Sequence, residues 1–290
     1  MYFCLLWMIV PSLATTRSSW MDVYAASTFG EIPMIPGTHN SAALSPLKAL
    51  NRLVWPWAQN QSLTLTQQLD LGVRYLDLRV SHQEGVIYCS HRFLSSTTLQ
   101  SALSQIRTFL ERHPSEFVLV FVRADFDNRA SLSATLVSEI VNAEIGNILF
   151  EPINQNLKFV LDTPVAALRG RVVLFHKSPR RVVIRERIAS FDAKVSFGFE
   201  QMWHDTLGAG LQKFRDFFDK TKEQAEAIRG IVCDVFNFST RKGVANVFKA
   251  EIQIIEQPTN MRPGVVVFDH CSEQCIRRIF VEQSVRYIHA

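Results

Sequence analysis

The chain has 290 residues, 47% of them hydrophobic and 20% charged, with 12 glycines and 11 prolines. That much apolar surface fills a large core and excludes a disordered chain, a collagen-like repeat or a small disulfide scaffold. A net charge of +4, with no long basic run, gives no basis for nucleic-acid binding and is compatible with a peripheral contact to an anionic lipid surface.

The first residues, MYFCLLWMIVPSLATT, form an apolar run broken by Pro11 and ending near Ala14. It is short for a bilayer span. Residues 1–19 read either as a secretory signal or as a membrane-associating or buried segment, so the protein is expected to be secreted or peripherally membrane-associated. Apolar, β-branched runs then recur at 32–36, 73–80, 86–89, 117–122, 172–175, 231–236 and 265–268. Amphipathic stretches lie between many of them; in 99–113, Leu99, Leu103, Ile106 and Leu110 fall on one helical face. Strands that are apolar throughout and separated by helices predict a buried parallel sheet. About seven or eight such units suit one closed barrel better than two domains. Pro36-Gly37, Pro114, Pro164, Gly170, Gly230 and Pro263-Gly264 punctuate these divisions. The expected fold class is therefore α/β, a single barrel over residues 20–290, with 237–262 as a long loop on its active face.

Five cysteines stand at Cys4, Cys89, Cys233, Cys271 and Cys275. Free thiols are the first expectation, a local disulfide the second. Metal is the last, because the Cys271/Cys275 spacing beside His270 lacks further ligands at short range. The cluster Lys177, Arg180, Arg181, Arg185 and Arg187 reads as a solvated face rather than a phosphate patch. Asn60-Gln61-Ser62 and Asn237-Phe238-Ser239 are glycosylation sequons, meaningful only in a secretory compartment.

In α/β barrels chemistry sits at the C-terminal ends of strands, so polar residues directly after apolar runs are the candidates. They are His39, with Asn40, after the first run; Asp77 and Arg79 at the end of the second; His91 after the third; Arg123 and Asp125 after the fourth; and Asp269 after the last. Two histidines, arginine and aspartate converging on one mouth make a recognisable acid–base set.

These residues lie in segments that resemble the X domain of phosphatidylinositol-specific phospholipase C. IPMIPGTHNSAAL is similar to its first motif, QQLDLGVRYLDLRV to its second, and IYCSHRF with LQSALSQIRTFLERHPSEFVLVFVR to its third motif, helix and next strand. Weaker similarity continues through GRVVLFHK, QMWHDT and PGVVVFDH. The resemblance implies a distorted TIM barrel that cleaves phosphatidylinositol or a glycosylphosphatidylinositol anchor to diacylglycerol and inositol 1,2-cyclic phosphate. It implies His39 as general base, His91 as general acid, Arg79 as the phosphate-binding cation and Asp269 as the carboxylate that orients the base. Calcium-dependent members place two carboxylates at the positions of Asp77 and Arg79, and hard cations need such oxygen ligands. A guanidinium at 79 therefore implies the metal-independent type, without cofactor; a monomer is expected.

There are departures. Asn40 replaces the aspartate that assists the acid in bacterial members, which leaves Asp77 as the nearest carboxylate in sequence to assist His91. Arg92 stands where bacterial members have glycine. Arg123, Lys177 and Asp205 align with residues that hold the inositol hydroxyls; the bland alternatives are a surface ion pair for Lys177 and a helix cap for Asp205. Trp55 and Trp57, flanking Pro56, are expected at a membrane-contacting rim, with core packing as the alternative; Trp20 is expected in the core. Two competing functions are a catalytically silent X domain that binds phosphoinositides, and a metal-dependent glycerophosphodiester phosphodiesterase, against which Arg79 argues.

Overall fold

A computed structural model describes residues 17–32, 34–53, 55, 58–125, 132–151, 163–176, 191–192, 200–205, 232–237, 264–273, 276–277 and 280, with backbone alone at 191–192, 200–205 and 232–237. The strands are β1 (Met34–Thr38), β2 (Tyr75–Gln83), β3 (Val86–His91), β4 (Phe93–Thr98), β5 (Val118–Ala124), β6 (Val172–His176), β7 (Phe191–Asp192), β8 (Glu200–Asp205), β9 (Val232–Asn237) and β10 (Gly264–Phe268). The helices are α1 (Leu65–Asp70), α2 (Leu99–Arg112), α3 (Ala134–Ile145) and α4 (Val165–Leu168). Among the described residues no helix is long and apolar enough to cross a membrane.

The parallel strands follow the order β7-β6-β5-β2-β1-β10-β9-β8. This is chain order wrapped into a ring, with the last strand beside the first, as in a (β/α) barrel. Among the described residues no ladder joins β7 to β8, so the expected closed barrel is open there. The third apolar run also departs from expectation. It forms β3, which pairs antiparallel with the outer part of β2 and with β4, and so stands as a hairpin excursion on the barrel wall. Its register sets Cys89 opposite Val80, so the strand runs back along β2 and His91, two residues on, returns toward the mouth.

Local chemistry fixes the helix starts. Thr64 and Gln67 form a reciprocal capping box on α1, while the hydroxyls of Thr98 and Ser133 accept the backbone N–H of Ser101 and Leu136. The buried face of α2 contains Leu99, Leu103, Ile106 and Leu110, the stripe expected from its period. At Gly37 the chain passes so close to β2 that a Cβ would stand 2.8 Å from Tyr75 Cδ1. Only glycine lets β1 deliver Thr38 and His39 to the mouth at this separation.

Residues 17–24 pack beneath the sheet through a buried ion pair. Arg74 Nη2 lies 2.7 Å from Glu116 Oε2, and neither side chain is exposed. Arg74 also donates to the carbonyls of Leu69, Val73 and Ser18 at 2.8 Å, and its guanidinium lies over the rings of Trp20 and Phe109. Glu116 accepts the backbone N–H of Met21 at 3.1 Å. Trp20 is buried as expected and donates from its indole to the Gly72 carbonyl. A charge buried here is tolerable only when paired, so Glu116→Ala should destabilise the fold by about 3–5 kcal/mol, measured by urea unfolding, and should expose Trp20 fluorescence at lower denaturant.

Candidate active site

The site is assembled where β1 meets β10. Thr38 stands in register with Phe268, so the next residue on each strand, His39 and Asp269, emerges at the same level. The backbone N–H of His39 continues the ladder to the Phe268 carbonyl at 3.0 Å. His39 Nδ1 lies 2.7 Å from Asp269 Oδ1, and both side chains are buried. On the other side of the ring, Arg79 Nη2 donates to His39 Nε2 at 2.5 Å. A guanidinium only donates, so Nε2 carries the lone pair and Nδ1 carries the proton. This is the tautomer a general base needs. Burial first, then the adjacent Arg79, hold the His39 pKa well below its ordinary 6.5.

Arg79 and Arg123 are register partners on β2 and β5 and share the carboxylate of Asp77. Asp77 Oδ2 lies 3.1 Å from Arg123 Nη2, 3.7 Å from Arg79 Nε and 3.8 Å from His39 Nε2. Burial alone would raise the Asp77 pKa; Arg123, Arg79 and His39 together outweigh it and lower the value. Arg79 is brought down to about 10, mainly by burial and by Arg123, and stays protonated at neutral pH. Asn40 Oδ1 and Asp77 Oδ1 are buried acceptors that no hydrogen bond satisfies. Such atoms are costly unless a donor arrives.

His91 stands across the mouth, its ring centroid 6.2 Å from that of His39 and inclined by 64°. Its Nδ1 donates to the Ala58 carbonyl at 2.8 Å, which leaves Nε2 as the exchanging nitrogen. Burial, chiefly, and the charge of Arg79 lower its pKa, against the fields of Asp125 and Asp269. Asp77 therefore does not take the place expected for it beside His91: it is drawn to the two guanidiniums and to His39. The nearer carboxylate influence is Asp125, which also accepts the Arg92 backbone N–H at 2.8 Å. That bond holds Arg92 at φ 61°, a left-handed conformation that explains why glycine suits this position.

Asn60 and Gln61 complete the site, and as a sequon they gave no hint of it. Asn60 Nδ2 donates to Asp269 Oδ1 at 2.7 Å, and its Oδ1 accepts from Asn40 Nδ2 at 2.8 Å. Gln61 Nε2 bridges the carbonyls of His39 and Phe268, while its Oε1 accepts the Cys271 N–H. The folded protein leaves no room for a glycan at Asn60, which is 1% exposed. Only the presence of two amides next to each other, between two apolar segments, could have drawn attention to them.

Trp55 is not part of an exposed rim. It is buried with Ala43 and Ala58, packs against Phe93, and donates its indole N–H to the Leu44 carbonyl at 3.1 Å. An apolar ring with its one donor satisfied gains more from burial than from solvent. Cys89 is likewise buried, which pushes its thiol up to about 12 and makes it inert near neutrality. Asp205 ends β8, its side chain outside the described residues. Lys177, Trp57, residues 1–16 and the stretch 238–262 of the expected active-face loop also lie outside them.

The chain is similar to known proteins in sequence and in fold. Residues 24–153 match the family model PI-PLC X. Human PI-PLC X domain-containing protein 1 is 37% identical over 98 residues, which cover 30% of this chain and 30% of the relative. The match to 1-phosphatidylinositol phosphodiesterase of Listeria monocytogenes runs over 279 residues at 29% identity, covering 92% of this chain and 85% of the bacterial protein. The solved phosphatidylinositol-specific phospholipase C from Listeria monocytogenes superposes with a TM-score of 0.69 at 19% identity, over 92% of this chain and 98% of that one. A Staphylococcus aureus phosphatidylinositol-specific phospholipase C gives 0.67 at 15% identity, over 94% and 99%. Residues 24–153 are thus similar to the PI-PLC X domain, and the fold is that of the bacterial PI-PLC barrels.

Burial lowers the pKa of His39, His91 and His270 alike. Unfolded imidazoles titrate near 6.5, so on acidification the unfolded chain takes up these protons first. Their contribution to stability is complete above about pH 6.5 and is lost as the pH falls through the folded values. Urea midpoints measured between about pH 7.5 and 5 should therefore fall on acidification.

Proposed function

We propose that the protein is a phosphatidylinositol-specific phospholipase C that acts at a membrane surface on phosphatidylinositol or a glycosylphosphatidylinositol anchor. The products are diacylglycerol and inositol 1,2-cyclic phosphate. The observation that carries this reading is the continuous chain Asp269–His39–Arg79, with His91 facing it across the mouth. The near-full-length similarity to the Listeria 1-phosphatidylinositol phosphodiesterase supports it.

The steps follow from the atoms present. A phosphodiester arriving at the mouth accepts hydrogen bonds from Arg79, whose donor leaves His39 Nε2 for a phosphoryl oxygen. The inositol 2-hydroxyl replaces it, donating to Nε2. As the 2-oxygen attacks phosphorus, His39 takes its proton, and Asp269 stabilises the imidazolium that forms. The phosphorus–oxygen bond to diacylglycerol breaks while His91 Nε2 delivers a proton to the departing oxygen. His91 is held below 6.5 in the free protein; the negative phosphodiester favours its protonated form and supplies the acid when it is needed. His39 has gained one proton and His91 has lost one, and exchange with water restores both.

The orphaned acceptors of Asn40 and Asp77 suit a polyol, whose hydroxyls are the donors they lack. Arg123 and Arg79 already neutralise Asp77, so a divalent cation would meet two fixed positive charges there. Metal-independent chemistry follows from that charge balance.

Phosphorus NMR of phosphatidylinositol and anchor-type vesicles, with EDTA and in a parallel arm with calcium, tests the reading, and product formation in EDTA tests its metal independence. The cyclic phosphate resonance should appear with at least one lipid. His39→Ala and His91→Ala should each lower its rate by about 10²–10⁴-fold in protein that circular dichroism shows to be folded. No cyclic product from either lipid, with EDTA or with calcium, overturns the proposal, and vesicle binding without turnover would then indicate a head-group-binding domain.

A further inference from the structure

We infer that Asn60 is a positioning residue that sets the basicity of His39 through Asp269. The geometry is a branched hydrogen bond on one oxygen: Asp269 Oδ1 accepts from His39 Nδ1 at 2.7 Å and from Asn60 Nδ2 at 2.7 Å. Both donors and the acceptor are buried, so water does not take over either bond. A carboxylate oxygen that must serve two donors is less basic toward each. Asn60 therefore weakens the hold of Asp269 on the imidazolium, and it also fixes the carboxylate in the rotamer that meets Nδ1.

The second arm of the amide gives the arrangement its direction. Asn60 Oδ1 accepts from Asn40 Nδ2, which forces Nδ2 of Asn60 toward Asp269; the reverse flip would set two acceptors face to face on one side and two donors on the other. The loop after β1 and the loop after β10 are thus read against each other by one side chain. The backbone of Asn60 is held independently, its N–H by the Ala43 carbonyl and its carbonyl by the His270 N–H. Removal of the side chain leaves those backbone bonds in place.

The charged and titratable groups that act on His39 are Asp269, Asp77, Arg79, Arg123 and His91. None of them is altered by a change at 60, which makes the sign of the effect readable. Without the Asn60 donor, Asp269 binds the imidazolium more strongly, so the pKa of His39 rises and the acid limb of activity moves to higher pH.

Two variants separate loss of the bonds from loss of volume. Asn60→Ala removes both bonds together with the bulk of the side chain; Asn60→Leu removes both bonds and keeps most of the bulk. Nitrogen-15 NMR of the histidine rings, in protein without substrate, should give His39 a higher pKa in both variants than in wild type, by about half a unit or more. Kinetics on phosphatidylinositol vesicles should show KM little changed and the acid limb of kcat/KM moved to higher pH by the same amount. The kinetic arm rests on the phospholipase reading, whereas the NMR arm does not. Loss of turnover by the wild type itself would end that reading while the titration still decides the role of Asn60. Folded variants whose His39 titrates as in wild type overturn the inference. So does a loss of activity matched by a lower unfolding midpoint with an unmoved titration, which would mark a structural role alone.

Discussion

Everything at the mouth depends on the parallel pairing of the first strand with the last. His39 and Asp269 are 230 residues apart, and no local preference of the chain brings them together. The register that sets Thr38 beside Phe268 does so, and it is supported from below by one contiguous apolar core running from Trp20 to Phe280. Ordering such a distant contact costs conformational entropy, which burial of that core offsets. Gln61 reinforces the seam at its end, where the backbone ladder stops: its amide donates to one carbonyl from each strand. The catalytic arrangement is in this sense the continuation of a β-ladder by side chains.

The electrostatics of the mouth are nearly balanced without substrate. The guanidiniums of Arg79 and Arg123 face the carboxylates of Asp77, Asp125 and Asp269, and the two imidazoles are pressed toward neutrality by burial and by Arg79. Such a set is held together by mutual pairing, since buried charges are expensive when left alone. On the proposed reading a phosphodiester would add one negative charge to it, and His91, with Nδ1 committed to the Ala58 carbonyl, has Nε2 available to take a proton in response. The Arg79 that donates to His39 Nε2 is the group the phosphate would draw off, so that binding would prepare the acid and release the base together.

Much of this was legible in the sequence, and the parts that were not have physical causes. Six of the seven apolar runs form strands of the barrel wall, because buried parallel strands are apolar on both faces. The strands β4, β7 and β8 carry polar or mixed sequences, and β4 reads FLSSTT. The hairpin origin of His91 was hidden because β3 is as apolar at its centre as a wall strand. His39, Arg79, His91 and Asp269 were visible as polar residues that end apolar runs. Asn60 and Gln61 were not, because they lie on a connecting segment and work by amide hydrogen bonds that leave no pattern. Trp55 misled for a related reason: an indole serves a rim and a small satellite core equally well until the neighbours, here Ala43, Ala58 and Phe93, are known.

Backbone strain links these residues into one design. Among the described residues the non-glycine positions at positive φ are Asn40, Glu84, Arg92 and His270. Glu84 turns the β2–β3 hairpin. The other three directly follow His39, His91 and Asp269, so the chain bends sharply just after each side chain assigned to the chemistry. A left-handed L-residue costs about 1–2 kcal/mol, and strain of this kind persists only where the surroundings enforce it. Each of the three has its backbone N–H caught by a neighbour in the site: Asn40 by Asp77 at 3.4 Å, Arg92 by Asp125 at 2.8 Å and His270 by the Asn60 carbonyl at 2.5 Å. The acceptors are thus a matched set. Asp77 and Asp125 combine this backbone contact with a charge that acts on the adjacent histidine, and Asn60 combines it with a side-chain bond to the adjacent aspartate. A polar group that is needed to hold a bend is placed, by the same geometry, within reach of the residue before the bend, and tuning of that residue's proton affinity follows from the fold.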